Sequence, residues 1–157
     1  RAHQAAALVG EFGHDPRNET GQLYIQTALD AFDAHRMSWA LWLYEEWSQG
    51  SWGLYDAENE SRGAIREWLA DAVARPYPQA VDGTLVGYTW DDVERVLRVR
   101  LSDTTSKSLH RVSTSSRIWT EVVAWCDGQP AAFSDRGKGW VEVPCDGSEL
   151  TVSSGGQ

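Results

Sequence analysis

Residues 5–13 read Ala5-Ala6-Ala7-Leu8-Val9-Gly10-Glu11-Phe12-Gly13. The uninterrupted apolar run from Ala5 to Gly10 suits a strand buried on both faces, as in a parallel sheet covered by helices. The carboxylate of Glu11 follows that run directly and lies between two glycines, where backbone or ligand can approach closely. In α/β folds the C-terminal ends of the strands carry reactive groups, because the loops diverge there and leave a cleft. Glu11 therefore stands where such a fold places its chemistry. The plainer alternative is a Glu that begins a loop and caps or salt-bridges nearby.

Outward from this stretch the pattern repeats. Thr20 to Arg36 places Tyr24, Ala28 and Phe32 four apart with Ala31 alongside, which predicts an amphipathic helix with Thr20 as N-cap. A second strand is expected over Ser38-Trp39-Ala40-Leu41-Trp42-Leu43-Tyr44. A polar loop through Gly50 to Asn59 then leads to a second helix, capped by Ser61, with Ile65, Trp68, Leu69, Ala72 and Val73 on one stripe. Strand–helix–strand–helix order with buried strands is βα repetition. Two such units in about 75 residues cannot cover a parallel sheet, and a closed barrel needs roughly 250 residues. The first half reads as the end of something larger, and a chain that starts at Arg1 is expected to lack its natural start.

The character changes at Arg75-Pro76-Tyr77-Pro78, read as a linker because two prolines within three residues cannot continue a helix. The expected division is 1–78 and 79–157. In the second part Leu97, Val99 and Leu101 alternate with Arg98 and Arg100, and Arg117 to Cys126 reads as one long alternating strand. Asp127-Gly128, Arg136-Gly137 and Asp146-Gly147 mark turns between short strands around Ala132-Phe133, Trp140–Val143 and Leu150–Val152. The expectation is an antiparallel β-sandwich with a frayed tail from Ser153 to Gln157.

Charge and composition narrow the function. The 157 residues carry 14 Lys+Arg against 23 Asp+Glu, a net charge of −9, which makes the chain a poor partner for nucleic acid. No apolar stretch approaches the ~20 residues of a membrane span, and no basic start leads into a signal-like run. His3, His14, His35 and His110 have no metal-ligand spacing, and there is no Gly-rich phosphate loop, so neither metal nor nucleotide cofactor is expected. Cys126 and Cys145 read equally well as one disulfide or as two free buried thiols. Nine tryptophans are the unusual feature. Large flat rings serve cores first, but they also stack on the C–H faces of sugars.

A retaining glycosidase needs a carboxylate held rigidly about 5–5.5 Å from a second carboxyl group, to attack the anomeric carbon. Glu11 fits the first of these roles. Trp39 and Trp42 differ by an odd number, so on a regular strand they face opposite ways, one towards the strand ends and the other under the helices. A Trp at a strand end can floor a sugar subsite, the alternative being that both rings are core, and His14 and Asp15 can line the cleft, a surface loop being their more ordinary place. Glu45 and Glu46 end the second strand and give a conceivable partner acid within the chain. A solvated rim is the more ordinary role for two successive Glu.

Gly10-Glu11-Phe12-Gly13, a helix ending Ala34-His35-Arg36, then Ser38–Tyr44, then Arg75-Pro76-Tyr77-Pro78-Gln79-Ala80-Val81-Asp82-Gly83-Thr84, together resemble glycoside hydrolase family 5, in the order found in its endoglycoceramidases. The resemblance covers residues 5–84 and is only architectural beyond. It implies an α/β plus all-β protein: the last two βα units of a (β/α)8 TIM barrel followed by an antiparallel β-sandwich. It implies that Glu11 is the nucleophile of a retaining hydrolase acting on the glycan–ceramide linkage, with Trp42, Trp39, His14 and Tyr44 as substrate contacts. The family's acid/base lies in an Asn-Glu motif after the fourth strand. Asn59-Glu60 comes after the eighth and does not take that role, so the acid must come from the N-terminal part of the enzyme, expected as a separate chain. This chain alone is expected to be inactive. The loop from Glu45 to Ser61, with Trp47, Trp52 and Tyr55, is where aglycone specificity would reside. A secreted or extracellular location and transient contact with a membrane surface follow from the same resemblance. The competing readings are a family 5 β-glucosidase, glucanase or glucosylceramidase, and a non-catalytic carbohydrate- or lipid-binding module that uses Trp119, Trp125 or Trp140 on an exposed sandwich face.

Overall fold

The computed structural model describes residues 7–45, 52–58, 61–135, 137 and 139–155. The described residues are mostly strand with two helices, and the chain divides into two compact units between Val73 and Ala74.

In the first unit, strand β1 (Leu8–Phe12) leads through a short loop to helix α1 (Glu19–His35), which returns to β2 (Ser38–Leu41). β1 and β2 pair in parallel, as the βα repetition predicts. The first strand lies three residues later than the Ala5–Gly10 expectation, of which Ala5 and Ala6 fall outside the described residues. It is not buried on both faces: Leu8 is 68% exposed. α1 is capped by Asn18, whose side chain accepts from the Gly21 N–H at 2.9 Å, not by Thr20. Its inward stripe is Gly21, Ile25, Leu29 and Asp33, one position on from the expected Tyr24, Ala28 and Phe32. Tyr24 is exposed, while Ala28 and Phe32 pack at the margin of the core. The helix ends at Arg36 in the left-handed conformation, its N–H donating back to Asp33 and Phe32 carbonyls.

β2 stops at Leu41, three residues short of Tyr44. The expected polar loop holds an antiparallel hairpin, β3 (Tyr55–Glu58) and β4 (Ser61–Ile65), and a shorter helix α2 (Glu67–Val73) follows it. Ser61 thus begins a strand, not the helix, and Ile65 ends that strand. Leu69 of α2 joins Phe12, Ile25 and Leu29 in one core, with Val9, Trp39 and Leu41 packed against it. Removing each such side chain from water contributes about 1.5–3 kcal/mol.

The second unit begins with β5 (Tyr77–Ala80), so half of the expected linker is a strand. Its proline is tolerated because β5 is the edge of its sheet, where a ladder N–H is dispensable. The remaining strands are β6 (Thr84–Asp91), β7 (Val96–Ser102), β8 (Leu109–Ser113), β9 (Val122–Cys126), β10 (Gln129–Ala131), β11 (Ser134–Asp135), β12 (Trp140–Pro144) and β13 (Glu149–Ser154). They form a five-stranded sheet in the order β10-β9-β13-β7-β6 and a four-stranded sheet in the order β11-β12-β8-β5. Leu97, Val99, Leu101, Leu150 and Val152 of the first sheet meet Val112, Val141 and Val143 of the second in one core. The alternation read from Leu97, Val99 and Leu101 is the one that buries them.

The long strand expected from Arg117 is cut to β9. A turn at Ser115, whose carbonyl accepts from the N–H groups of Ile118 and Trp119, swings Trp119 into the core. There its indole N–H donates to the Arg95 carbonyl at 2.9 Å, the acceptor a buried indole needs. Asp127 and Gly128 both have positive φ and make the two-residue turn between β9 and β10 that an Asp-Gly pair predicts. Of the Arg136-Gly137 turn, Arg136 lies outside the described residues. The tail continues as strand through Ser154. Cys126 and Cys145 form a disulfide with their Cα atoms 5.4 Å apart, which settles the open choice and ties β9 of one sheet to the end of β12 in the other. His110 is fully buried, and its Nε2–H donates to the Cys145 carbonyl at 2.8 Å, a core histidine.

Candidate active site

Glu11 sits next to the last residue of β1, and the pairing around it is irregular. Val9 pairs with Trp39 and Phe12 with Leu41, so β1 advances three residues while β2 advances two. The extra residue is a bulge at Gly10-Glu11. Bulges re-aim side chains and are common beside active sites. Here the effect is specific: Val9 and Phe12 both turn into the helix-facing core, while Gly10 and Glu11 are both exposed.

Trp39 and Trp42 face different ways. Trp39 packs edge-on against Phe12, ring centroids 5.3 Å apart, and belongs to the core. Trp42, just past the end of β2, is 46% exposed, and its N–H donates to the Phe12 carbonyl at 2.7 Å. That bond ties the residue after Glu11 to Trp42. The structure therefore brings Glu11 and Trp42 to the same end of the two strands and withdraws Trp39 from it.

The loop after Glu11 is held by close approaches that only glycine permits. A Cβ on Gly13 would lie 2.1 Å from the Trp42 carbonyl oxygen, and one on Gly21 would lie 1.8 Å from that of Asp15. Gly10, in contrast, has nothing within 4 Å of its Cβ position. Gly13→Ala is expected to destabilise the first unit by ~3 kcal/mol, because backbone must move, whereas Gly10→Ala is expected to stay within about 0.5 kcal/mol. Thermal denaturation of the two variants side by side checks this; equal midpoints would refute the pinch at Gly13.

Asp15 closes the loop. Arg17 donates to its carboxylate through Nε at 2.9 Å and Nη2 at 2.6 Å, and holds the Asp15 pKa down at about 2 against the opposing effect of desolvation. His14 lies between Tyr24 of α1 and Trp52, stacked parallel to the Trp52 ring at a centroid distance of 6.0 Å. The β3–β4 hairpin is tethered to the strand-end segment as well. The Leu54 N–H donates to the carbonyls of both Leu43 and Tyr44, and the Arg66 guanidinium donates to the carbonyls of Gly53 and Tyr55 and pairs with Asp56.

Tyr44 is 54% exposed and meets Tyr55 edge-on at 5.3 Å, with the Arg62 guanidinium over both rings. A hydrogen bond to Tyr55 raises the Tyr44 pKa. Arg62 also binds Glu45 through two bonds of 2.7 and 3.2 Å and lowers the pKa of its carboxyl. A general acid needs the opposite shift. The Arg62 pair therefore argues against Glu45 as the partner acid; Glu46, Asn59 and Glu60 lie outside the described residues. Arg62 and the Trp52–His14 stack were not anticipated. Among the described residues no three His, Cys, Asp or Glu side chains group as metal ligands, and no helix is long and apolar enough to cross a membrane.

No family model matches the sequence. An endoglycoceramidase of Cyanea nozakii is 33% identical over 70 residues, which is 43% of this chain and 14% of that protein. Endo-glycoceramidase II from Rhodococcus sp., solved in complex with ganglioside GM3, superposes with a TM-score of 0.73 at 18% identity, over 95% of this chain and 32% of its own. Its lactosyl-enzyme intermediate gives 0.72 at 18% identity. Sterylglucosidase 1 of Cryptococcus neoformans gives 0.62 at 16% identity, over 95% of this chain and 29% of its own. The chain thus spans about a third of the solved structures it matches, and at these identities the superpositions establish the fold. In sequence over part of its length and in fold over nearly all of it, the chain is similar to endoglycoceramidases.

Proposed function

We propose that this chain is the C-terminal part of a retaining glycoside hydrolase that cleaves the linkage between glycan and ceramide in glycosphingolipids. In this reading the first unit supplies the last two βα units of a TIM-barrel catalytic domain and the second is its C-terminal β-sandwich. The bulge that turns Glu11 outward, beside exposed Trp42 at the C-terminal end of a parallel strand pair, carries the proposal. The sequence likeness to an endoglycoceramidase supports it.

Glu11 is the nucleophile. Its carboxylate attacks the anomeric carbon, an acid from the preceding polypeptide protonates the departing ceramide oxygen, and water then hydrolyses the glycosyl ester with that acid acting as base. The lactosyl-enzyme intermediate of the Rhodococcus protein supports a covalent route. Trp42 stacks on the sugar, His14 and Tyr44 line the cleft, and Trp39 holds the strand from beneath. The polypeptide that supplies the acid also covers the open side of β1 and β2. A parallel sheet of two strands with Leu8 exposed is otherwise too small to be stable. The disulfide suits export to an oxidising compartment, where glycolipid is met at a membrane surface.

The test is a slow-turnover 2-deoxy-2-fluoro lactoside applied to the complete enzyme. Peptide mass analysis should find one deoxyfluorolactosyl group on the peptide that contains Glu11. Labelling of any other carboxylate would remove Glu11 from the role. Comparing hydrolysis of a ganglioside with that of a soluble β-glucan decides the aglycone, and preference for the glucan would replace the ceramide reading with the glucanase one.

A further inference from the structure

We infer that the outer face of the five-stranded sheet in the second unit is a shallow binding site for an oligosaccharide that carries an acidic sugar. Trp125 is its stacking ring, Thr151 its floor and Arg98 the partner of the sugar carboxylate. None of these residues belongs to the site around Glu11.

The three tryptophans of this unit that offer themselves for sugar binding have different fates. Trp119 is 3% exposed and in the core, against Trp90. Trp140 is covered by the Arg111 guanidinium, 4.0 Å from its ring centroid, and Glu142 holds that cation in place. Trp125 is left. On β9 its neighbour Ala124 points into the core, so Trp125 points out, and among the described residues no ring or cation stacks on it.

The register then builds the site. Thr89, Arg98, Thr151, Trp125 and Pro130 are cross-strand neighbours in one continuous row over β6, β7, β13, β9 and β10. Adjacent strands lie about 4.8 Å apart, so Trp125 and Arg98 stand roughly 10 Å apart with the short Thr151 between them. Two tall side chains about a small one make a trough wide enough for one pyranose ring. The indole offers a flat apolar face, the Thr151 hydroxyl can donate and accept, and a guanidinium can take a carboxylate through two parallel bonds.

Charge complementarity selects the occupant. The chain carries a net charge of −9, yet Arg98 stands exposed on this face, and among the described residues no ion pair engages it. Arg100, whose cross-strand neighbour on β13 is Glu149, turns its guanidinium away from Trp125 to Gly87 of β6, where a Cβ would come within 3.2 Å of its Nη2, and takes no part in the site. The Arg98 guanidinium, across Thr151 from the partly exposed indole, favours an anionic sugar over a neutral one.

Saturation-transfer NMR and calorimetry on the full chain, with 3′-sialyllactose and lactose as probes, test this. Sialyllactose should bind measurably tighter than lactose. Its affinity should fall tenfold or more in both Trp125→Ala and Arg98→Gln, and stay unchanged in Trp140→Ala. Arg98 is exposed, so its variant keeps the test valid if Trp125→Ala fails to fold. Absence of binding, binding that neither variant weakens, or binding lost only in Trp42→Ala would overturn the site. Equal affinity for lactose, indifferent to Arg98→Gln, would overturn the acidic-sugar assignment. The labelling of Glu11 is unaffected by any of these outcomes, so the two readings fail separately.

Discussion

Glu11→Gln in the complete enzyme is expected to lower turnover of a glycolipid substrate by roughly 10^4-fold or more, because removing a nucleophile removes the bond-forming partner itself. Gln preserves the size of the side chain at an exposed position, so folding should survive. The decisive addition is azide. A small anion can occupy the space of a shortened side chain, and Glu11→Gly should regain turnover with azide while releasing a glycosyl azide of inverted anomeric configuration. A merely structural Glu11 would show neither the loss nor the inverted product. Retention of activity in Glu11→Gln, with unchanged circular dichroism, would end the assignment.

The second large effect concerns the Cys126–Cys145 disulfide. It closes a loop of 19 residues in sequence separation, for which chain entropy gives a stabilisation of about 3 kcal/mol. In a unit of this size each kcal/mol moves the thermal midpoint by about 4–8 °C. The Cys126→Ala/Cys145→Ala variant should therefore unfold roughly 12–24 °C lower than the oxidised protein. The Cys145 carbonyl still accepts from His110, so the loss should come from the crosslink and not from that bond. Thermal scans of the oxidised, reduced and double-alanine proteins give the answer. The reduced and alanine forms should coincide, and a midpoint shared by all three would show that the core alone holds the sheets together.

What could be read beforehand follows from how local each determinant is. Leu97, Val99 and Leu101 alternate because their own strand has one wet face, and Asp127-Gly128 turns because its two residues accept positive φ. Both are decided within a few residues and were legible. The order of β1, α1 and β2 was legible for the same reason. The stripe of α1 was misplaced by one position, since Tyr24, Phe32, Ile25 and Leu29 are all apolar enough for either face and packing against Phe12 and Leu69 decides between them. The hairpin after β2 was missed because its anchors, Arg62 on Glu45 and Arg66 on the Gly53 carbonyl, lie 17 and 13 residues apart in the chain. Of the candidate site, the place of Glu11 at the end of an apolar strand and the opposite facing of Trp39 and Trp42 were legible in the sequence. The stack of His14 on Trp52 was not, because nothing in the spacing of residues 14 and 52 predicts that their rings meet.

The bulge at Gly10-Glu11 also bears on folding fidelity. In a regular strand residues two apart share a face, so with Val9 inward Glu11 would point into the core and Phe12 out of it. Straightening the bulge would exchange the two, placing a carboxylate against Ile25 and Leu29 while giving Phe12 to water. Each half of that exchange is unfavourable, and the burial of an unpaired charge is the larger penalty. The mispaired register is therefore rejected twice over. The residue assigned to chemistry thus also proofreads the alignment of the strand that carries it.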